Sequence, residues 1–296
     1  MGREISRKKL AVIGGTNLDV SGSPRLPLRL HDSTPGLVRL RPGGVGRNIA
    51  HALRLLGAEV SLVTALGDDL FGESLRRSCA GLGIDLSLAL TVEGARSSSY
   101  LYVTDASGDL LAGIADMDVV AALTPERLAE RIGRINRCDA VVVDANLSGD
   151  ALAWLAEHCL APMIADPVSA AKAPRLAPLL PKLLAIKPNR AEAFALTGES
   201  SPEAAARALL SRGVRRVFIS LGEQGMLAAE GDALLRLPCR SGPVVNSNGA
   251  GDAATAALAW SFLRGLDLGE SAAAALEAAA QVCASEETSP PELKLD

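Results

Sequence analysis

The sequence is poor in aromatic residues and histidine, and its charge is nearly balanced. Aromatic side chains make up 3% of the 296 residues, so the core must consist of aliphatic side chains, and stacked rings are not the main means of binding a ligand. The formal net charge of -4 offers no broad attraction to a polyanion, which disfavours nucleic acid and anionic membranes as partners. His31, His51 and His158 do not have the spacing of metal ligands.

Long apolar runs and paired cysteines are also absent from the sequence. No apolar run approaches the roughly 20 residues that span a bilayer, and the first strand is too short for the apolar region of a secretion signal. The cysteines are scattered, odd in number and without a C-x-x-C pair, which indicates reduced thiols rather than a disulfide framework. We therefore expect a soluble, cytoplasmic protein, which could still bind a small anionic ligand locally.

Short apolar runs alternate with helical patterns along the chain. The runs predict strands that are each followed by polar, glycine or proline residues and then by a helix; the clearest are Leu10–Ile13, Ala140–Val143, Met163–Ala165, Leu183–Ile186 and Val217–Ser220. Strands that are apolar throughout are typical of a parallel sheet with both faces covered. The sequence therefore predicts one α/β domain over residues 1–296, with a doubly wound, mostly parallel sheet sandwiched between helices.

Two segments interrupt this alternation. Residues 19–42 are rich in proline, glycine and serine, and residues 97–118 contain two strands joined by the turn Thr104–Asp109. Together they predict a small β-sheet beside the main one. At the carboxyl edge of the main sheet such a lid would exclude water from a reacting group. Its strands could also pair with those of a second copy and form a homodimer.

The segment Asn246–Asp252 precedes an apolar helical run, Ala253–Leu263. A Gly-Ala-Gly turn that opens a helix exposes backbone N–H groups at the positive end of the helix dipole, where a transferring phosphoryl group can be stabilised. The amides of Gly249–Gly251 would form this anion hole, and Asp252 in the first turn would accept a proton from an attacking hydroxyl. Alternatively, Asp252 caps the helix and the glycines only form a turn.

Two further loops lie near the N-terminus. The segment Gly43–Asn48 leads into a helix; its glycines would allow close approach of a ligand, and Asn48 can both donate to and accept from a hydroxyl group. It is neither a Walker A loop nor a G-x-G-x-x-G dinucleotide fingerprint, and by itself it also fits a plain turn. The loop Gly14–Asp19 follows the first strand, where open α/β sheets bind ligands. Asp19 could hold two sugar hydroxyls there or simply face solvent.

Two more segments follow later strands. In Lys187–Glu192, Asn189 and Glu192 have the spacing of a capping box. Glu192 or Asn189 could also hold Mg²⁺ through water, because this ion prefers carboxylates, waters and phosphate oxygens. In Ser220–Gly225 the glycines leave room for the phosphates or ribose of a nucleotide, although a hairpin turn explains them equally well.

Together these five segments, in this order, resemble the ribokinase-like family of carbohydrate and nucleoside kinases, also called the phosphofructokinase-B type, over nearly the whole chain. Gly43–Asn48 is similar to the N-terminal signature of that family and Asn248–Asp252 to its C-terminal signature, and the pair is far more specific than either alone. The resemblance implies the ribokinase-like fold and transfer of a phosphoryl group from ATP, with Mg²⁺, to an alcohol group.

The resemblance also implies roles for individual residues. Phosphoryl transfer would involve Asp252 as the catalytic base and an anion hole formed by Gly249, Ala250 and Gly251. The acceptor would be bound by Asn17, Asp19, Gly43, Gly44 and Asn48. The nucleotide and its metal would be bound by Asn189, Ser220, Gly222, Gly225 and Asn248, with Glu192 reaching Mg²⁺ through water.

One position departs from the family pattern. Family members often bind a monovalent cation near the anion hole through the acidic residue that begins the C-terminal signature. That position is Asn246 here, so the carboxylate is missing and activation by K⁺ is in doubt.

Within the family, Pro42–Ala50, Asn246 and the tail Ala284–Leu293 look like the corresponding segments of pseudouridine kinases. This similarity implies transfer of the γ-phosphate of ATP to the 5'-hydroxyl of pseudouridine, with Ser98 and Tyr100 of the lid near the base. Ribose, a fructose derivative, adenosine or another nucleoside is an alternative acceptor. A nucleotide or sugar sensor without catalysis is a second alternative, and a dinucleotide-dependent oxidoreductase is disfavoured by the missing glycine fingerprint.

Overall fold

The fold is described from a computed structural model of the chain, which describes residues 8–29, 31–105, 107, 109–240, 242, 244–245, 247–285 and 292–295. The strands are β1 (Lys9–Ile13), β2 (Asn17–Pro24), β3 (Gly36–Gly43), β4 (Glu59–Val63), β5 (Ala65–Gly67), β6 (Leu90–Val92), β7 (Ser99–Thr104), β8 (Leu110–Asp116), β9 (Ala140–Asp144), β10 (Met163–Asp166), β11 (Leu183–Ile186), β12 (Arg216–Ser220), β13 (Met226–Glu230) and β14 (Ala233–Leu237).

The α-helices are α1 (Val45–Leu55), α2 (Leu70–Gly81), α3 (Pro125–Ala129), α4 (Ile132–Ile135), α5 (Gly149–His158), α6 (Arg190–Thr197), α7 (Pro202–Ser211), α8 (Ala250–Arg264) and α9 (Leu268–Cys283). Short 3-10 helices cover Asp118–Ala122, Ala173–Lys182 and Gly222–Gln224.

Within the described residues, the main sheet has eight strands in the order β14-β13-β12-β11-β10-β9-β1-β4. The strands from β4 to β12 in this order run parallel, whereas β13 and β14 are antiparallel additions at one edge. Helices cover both faces, as expected for strands whose residues are apolar on both sides. The predicted fold class, a doubly wound and mostly parallel sheet with a small additional sheet, is confirmed.

Alternate residues of each central strand enter two separate cores. In β1, Leu10 and Val12 face a core that includes residues of α1, α8 and α9. Ala11 and Ile13 face the opposite core, which includes residues of α5, α6 and α7. Since few aromatic residues are available, aliphatic side chains fill both cores, and α8 contributes many alanines that allow it to approach the sheet closely.

The small sheet has the order β3-β2-β7-β8 and comprises four strands in the described part of the chain. It is mostly antiparallel, with β2 and β7 as a parallel pair. Asp19 in β2 is in register with Arg41 in β3 and Tyr100 in β7, so these three residues share one face. The use of this sheet as a lid stays a prediction.

Several sequence features have simple outcomes in the structure. All five cysteines are free thiols. Within the described part of the chain, no helix has the length and apolarity that crossing a membrane requires. Asn246, on which the K⁺ argument depends, and residues 286–291 of the C-terminal tail lie outside the described residues.

Candidate active site

Five neighbouring parallel strands bring their carboxyl ends to one edge of the main sheet. In spatial order, β1 leads into Gly14, β9 ends at Asp144, β10 ends at Asp166, β11 precedes Lys187 and β12 ends at Ser220. Asp144 and Asp166 are register partners on adjacent strands. Because the strands are parallel, residues from distant parts of the sequence meet at this edge, which is where open α/β sheets bind ligands.

The glycines of Gly43–Asn48 make room for the loop that follows β1. A Cβ atom on Gly43 would lie 2.3 Å from Oδ2 of Asp19. Gly44 has a φ of +97°, and a Cβ atom there would lie 2.7 Å from the carbonyl oxygen of Gly15. The sequence interpretation attributed these glycines to close approach by a ligand, whereas in the structure the neighbouring backbone and the Asp19 carboxylate occupy this space.

Asn17 and Asp19 form a polar pair beside this turn. Nδ2 of Asn17 donates to Oδ1 of Asp19 at 2.7 Å, and Asn17 is buried. Burial raises the pKa of Asp19, although the Asn17 hydrogen bond and the charge of Arg47 oppose this rise. Asp19 is therefore a partly enclosed carboxylate that can still accept hydrogen bonds.

Helices α1 and α8 bring the two signature segments into direct contact. Nδ2 of Asn48 donates to Oδ2 of Asp252 at 2.9 Å, although the two residues are 204 positions apart. The N-cap of α8 is Gly249, in the left-handed conformation with a φ of 84°, and it provides no side-chain cap. The Asp252 side chain thus turns toward Asn48, and the amides of the first turn of α8 have no N-cap side chain as a competitor for an anion.

Lys187 lies against the turn that opens α8. A Cβ atom on Gly251 would be 3.0 Å from the Lys187 ammonium, so the ammonium lies in tight contact with this turn. Lys187 is only 4% exposed and lies 3.4 Å from Oδ2 of Asp166. Burial opposes its charge, but the carboxylates of Asp166, Glu192 and Asp252 outweigh this effect and raise the pKa of Lys187. Lys187 is therefore a buried ammonium at the mouth of the helix.

The environment of Asp252 makes it a weaker acid than an ordinary aspartate. Removal from water raises its pKa to about 7, and the nearby charges of Asp166 and Asp144 add to the rise. The Asn48 hydrogen bond and the Lys187 charge oppose it. A carboxylate whose pKa lies near neutrality is suited to take up a proton during a reaction at that pH.

Two more carboxylates are held firmly beneath the site. Asp166 accepts a hydrogen bond from the Thr255 hydroxyl at 2.6 Å. Asp144 is fully buried and accepts from the backbone amides of Gly15 at 2.8 Å and Asn146 at 2.9 Å. Burial raises the pKa of Asp144 to about 6, and these hydrogen bonds limit the rise. The oxygen atoms of Asp144 thus fix the loop after β1.

The residues assigned to the nucleotide by resemblance lie farther along the same edge. Asn189 and Glu192 form a complete capping box at the start of α6. Asn189 and Ser220 form an isolated parallel β-bridge, which joins the segments at the ends of β11 and β12. Gly222 and Asn248 are exposed, but Gly225 is buried, and a Cβ atom there would meet the Leu237 carbonyl oxygen.

Ser98 and Tyr100, which the sequence analysis assigned to a lid, differ in their environments. Ser98 is buried, and its carbonyl oxygen accepts from the Leu18 amide at 2.9 Å. Tyr100 is half-buried and stacks on Tyr102 with a centroid distance of 5.3 Å. Tyr100 shares the face of the small sheet that carries Asp19, whereas Ser98 precedes the strand.

Sequence reasoning missed three charged residues at the edge of the sheet: Asp144, Asp166 and Lys187. Each is the first charged residue after a continuous apolar run, and this position at a carboxyl end was the signal available. Arg47 was also missed, although it lies inside a segment that was singled out. Its burial is a property of α1 packed against the sheet and is not evident from the motif.

The chain is similar to known carbohydrate kinases along nearly its whole length. Residues 7–295 match the model of the pfkB family carbohydrate kinases. The chain is 35% identical over 294 residues to a pseudouridine kinase of Escherichia coli strain K12, with coverage of 97% of this chain and 94% of that protein. It is 28% identical over 354 residues to a pseudouridine kinase of Arabidopsis thaliana, with coverage of 96% and 93%.

Solved structures share the fold. A ribokinase from Thermotoga maritima has a TM-score of 0.85 at 21% identity and covers 95% of each chain. A putative ribokinase II from Escherichia coli in complex with ATP and Mg²⁺ has a TM-score of 0.81 at 18% identity, with coverage of 95% of this chain and 94% of that one. At these identities the structures establish the fold alone.

Proposed function

Because the chain belongs to the pfkB family of carbohydrate kinases, we propose that it transfers the γ-phosphate of ATP to the 5'-hydroxyl of pseudouridine and so forms pseudouridine 5'-phosphate. The family match bears out the resemblance noted in Gly43–Asn48 and Asn248–Asp252. The chain is accordingly a sugar or nucleoside kinase, a phosphotransferase with an alcohol group as acceptor. The acceptor and the residue roles given below are the proposal.

The contact between Asn48 and Asp252 is the observation that carries the proposed mechanism. The Asp252 carboxylate takes the proton of the acceptor hydroxyl as the oxygen of that hydroxyl bonds to the γ-phosphorus. The bond from the γ-phosphorus to the oxygen of ADP breaks as ADP leaves. Asn48 orients Asp252, while Asn17 and Asp19 hold the other hydroxyls of the acceptor. Because Gly43 and Gly44 lack a side chain, the segment that carries Asn17 and Asp19 can lie against the segment that carries Asn48.

The opening turn of α8 supports the binding of a transferring phosphate. Its N-cap, Gly249, offers no side chain, and the Lys187 ammonium lies beside Gly251, so positive charge is concentrated at this point. The amides of Gly249, Ala250 and Gly251 would stabilise the negative charge of the transferring group. The adenosine part of ATP would lie along Asn189, Ser220, Gly222, Gly225 and Asn248.

The acidic residues present fit a metal that is held mainly by phosphates. No group of three or more His, Cys, Asp or Glu side chains that could hold a metal ion occurs among the described residues. Mg²⁺ is suited to such a place, because it retains waters and binds one or two carboxylates together with substrate phosphates. Glu192 would hold it through water. When bound, Mg²⁺ would neutralise phosphate charge.

The choice of pseudouridine over other acceptors rests on the relatives and on the signature segments. Two pseudouridine kinases match the chain over nearly its full length. The small sheet supports a role in reading a base, because Tyr100 shares a face with Asp19. Ser98 supports the start of that strand through its carbonyl oxygen.

The test is an assay of ADP release with pseudouridine, uridine and ribose under identical conditions, with and without K⁺. We expect pseudouridine to give the highest kcat/KM, and we expect little change when choline replaces K⁺. Uridine is a matched control, since it differs from pseudouridine only in the base atom that is joined to ribose. A higher kcat/KM for ribose or uridine would refute the proposed acceptor while leaving the family assignment intact.

We also propose that the small sheet joins two copies of the chain. On the face opposite Asp19, Val20 pairs with Leu40 and Leu101, and Leu101 pairs with Ile114, so these residues form one row across the sheet. The side chains of Leu40, Leu101 and Ile114 are 59%, 46% and 68% exposed. Such an apolar row is typical of an interface between proteins. Light scattering should give the mass of a dimer for the unmodified chain and of a monomer for Leu101→Glu; a monomer in both cases would contradict the proposal.

A further inference from the structure

Arg47 is a buried cation for which the proposed mechanism has no role. It lies in the first turn of α1 and is 7% exposed. Its Nη1 donates to Oδ1 of Asn48 at 3.2 Å, and its Nη2 donates to the Ser78 hydroxyl at 3.2 Å. Its Nε has no hydrogen-bond partner among the described residues. The guanidinium thus connects α1 with α2 and touches a residue of the proposed site.

Stability alone does not account for a charge in this position. Among the described residues, Arg47 forms no ion pair at contact distance. Burial lowers its pKa, and the more distant charge of Asp19 only partly opposes this effect, so the buried guanidinium costs free energy. The neighbouring His51 is also buried, and burial together with the Arg47 charge lowers its pKa to about 4. His51 is therefore neutral at neutral pH, and Arg47 supplies the positive charge of this part of the interior.

The contact between Arg47 and Asn48 determines the orientation of the Asn48 amide. A guanidinium only donates hydrogen bonds, whereas an asparagine side chain has one accepting oxygen and one donating nitrogen. With Oδ1 facing Arg47, Nδ2 must face Asp252, as observed at 2.9 Å. The flipped amide would direct its NH₂ group at the guanidinium and its oxygen at the Asp252 carboxylate, and both contacts would be repulsive.

We propose that Arg47 is a positioning residue for this kinase, which holds the Asn48 amide in the orientation that donates to the Asp252 carboxylate. Arg47 acts through Asn48 and does not touch the acceptor. The proposal rests on the proposed role of Asp252 as base, and it extends that role to a three-residue chain running from Arg47 through Asn48 to Asp252.

Removal of Arg47 should make the Asp252 carboxylate harder to ionise. The Asn48 hydrogen bond favours the ionised form of Asp252 and lowers its pKa. The other charged groups that face Asp252 are Asp166 and Asp144, which raise its pKa, and Lys187, which lowers it. These three groups are unchanged in an Arg47 variant, and Arg47→Lys keeps the positive charge while it lacks the planar fork. A rise shared by Arg47→Met and Arg47→Lys would therefore report the orientation of Asn48 and not the loss of charge.

The first test is a carbon NMR titration of aspartate carboxyl groups in Arg47→Met, with Asp252 assigned by comparison with Asp252→Asn. We expect the pKa of Asp252 to rise by about one pH unit, because about one charge-assisted hydrogen bond is lost. An unchanged pKa would overturn the proposal. This measurement needs no turnover, so a failure of the positioning role is distinguishable from a failure of the proposed function.

The second test is a double-mutant cycle in kcat/KM with Arg47→Met, Asn48→Ala and the double variant. Arg47→Met alone should lower kcat/KM at least about tenfold, but less than about threefold in the Asn48→Ala background, because the two residues act as a unit. Equal losses in both backgrounds would refute action through Asn48. If Arg47→Met does not fold, Arg47→Lys enters the same cycle and the same titration, since a lysine keeps the charge without the planar fork.

Arg54→Met is the matched control for both tests. Arg54 lies at the other end of α1 and donates to the carbonyl oxygens of Leu82 and Ala58. Its loss should leave the pKa of Asp252 and kcat/KM unchanged, even where the protein is less stable. An equal rise of the pKa in Arg54→Met would show that any damage to α1 produces the effect, and it would overturn a specific role for Arg47.

Discussion

The proposed acceptor side and the proposed nucleotide side of the site are built in different ways. On the acceptor side, buried asparagines are hydrogen-bonded to partly buried carboxylates, as in the pairs Asn17 with Asp19 and Asn48 with Asp252. On the nucleotide side, Gly222 and Asn248 are exposed, and Asn189 is used in a helix cap. The acceptor side therefore has its geometry fixed by packing, whereas the nucleotide side offers backbone and open space.

This difference has an energetic consequence. A buried polar group that loses its partner pays its full desolvation cost, whereas an exposed group is compensated by water. Changes on the acceptor side should therefore have large effects on turnover and stability. Changes at the exposed positions of the proposed nucleotide side, such as Gly222, should have small effects that are confined to the binding of ATP. The buried Gly225 is an exception, because a Cβ atom there would meet the Leu237 carbonyl oxygen.

The largest effect is expected for Asp252→Asn at the junction of the two sides. The amide keeps the size of the side chain but cannot take a proton, so kcat should fall on the order of 10³-fold, while calorimetry should show nearly unchanged binding of ATP and acceptor. In the unmodified protein, kcat/KM should rise with pH to about 7, because the pKa of Asp252 is raised to about 7 and the ionised form is the base. The variant should lack this acid limb.

Asp232→Asn controls for this change. Asp232 is exposed in the turn between β13 and β14, and this turn lies beside the start of β12, away from the carboxyl edge. The control should retain both turnover and the pH profile. Near-normal turnover of Asp252→Asn itself would refute the assignment of the base.

The next largest effect is expected for Lys187→Met. Its ammonium faces the carboxylates of Asp166, Glu192 and Asp252, and its loss leaves their buried charge uncompensated. The free energy of unfolding should fall by about 3 kcal/mol, and kcat/KM by about 100-fold through loss of charge at the mouth of α8. Because Lys187 lowers the pKa of Asp252, the acid limb of the pH profile should move to higher pH.

Lys182→Met is the comparison for Lys187→Met, since Lys182 is exposed at the end of a 3-10 helix. Its free energy of unfolding and its kcat/KM should equal those of the unmodified protein. Thermal unfolding and initial rates measure the two quantities. A Lys187→Met protein with an unmoved acid limb would show that the ammonium does not act on Asp252.

The fold was predictable from sequence where the strands are apolar throughout. Ala140–Val143 and Leu183–Ile186 are such runs, and the structure has β9 and β11 there with bounds within one residue. The hairpin of β13 and β14 was not predicted, since Met226–Glu230 is short, rich in alanine and without β-branched residues. Its strand state arises from pairing with β12 and is not an intrinsic preference of its residues.

The candidate site was predictable only in part, because its contacts join segments that are distant in sequence. The motifs identified Asn48 and Asp252, but their hydrogen bond spans 204 positions and depends on the packing of α1 against α8. Asp166 was missed because nothing in its local sequence indicates that Lys187 and Thr255 surround it. The role of Gly43 also became clear only in the structure, where a Cβ atom would meet Asp19.

A smaller effect, on the acceptor side alone, is expected for Gly43→Ala. The added Cβ would lie 2.3 Å from Oδ2 of Asp19, so the carboxylate must move away from the acceptor hydroxyls. We expect the KM for the acceptor to rise about tenfold, the equivalent of one lost hydrogen bond, with little change in the KM for ATP. Gly149→Ala is the control, because a Cβ there meets nothing within 4 Å. An equal rise of both KM values would contradict a role confined to the acceptor side.

The smallest effect is expected for Gly222→Ala, on the nucleotide side. Gly222 has a φ of +62° and open space around its Cβ position, so alanine there meets only backbone strain of about 1 kcal/mol. If ATP lies along this turn, the KM for ATP should rise about fivefold, the equivalent of about 1 kcal/mol, while kcat and the KM for the acceptor stay constant. Gly231→Ala has nearly the same strain, with a φ of +55° and open space, but its turn lies at the opposite end of β13. Because strain alone affects both variants equally, a rise in the KM for ATP that is limited to Gly222→Ala would place the nucleotide at this turn, and equal KM values in the two variants would exclude it.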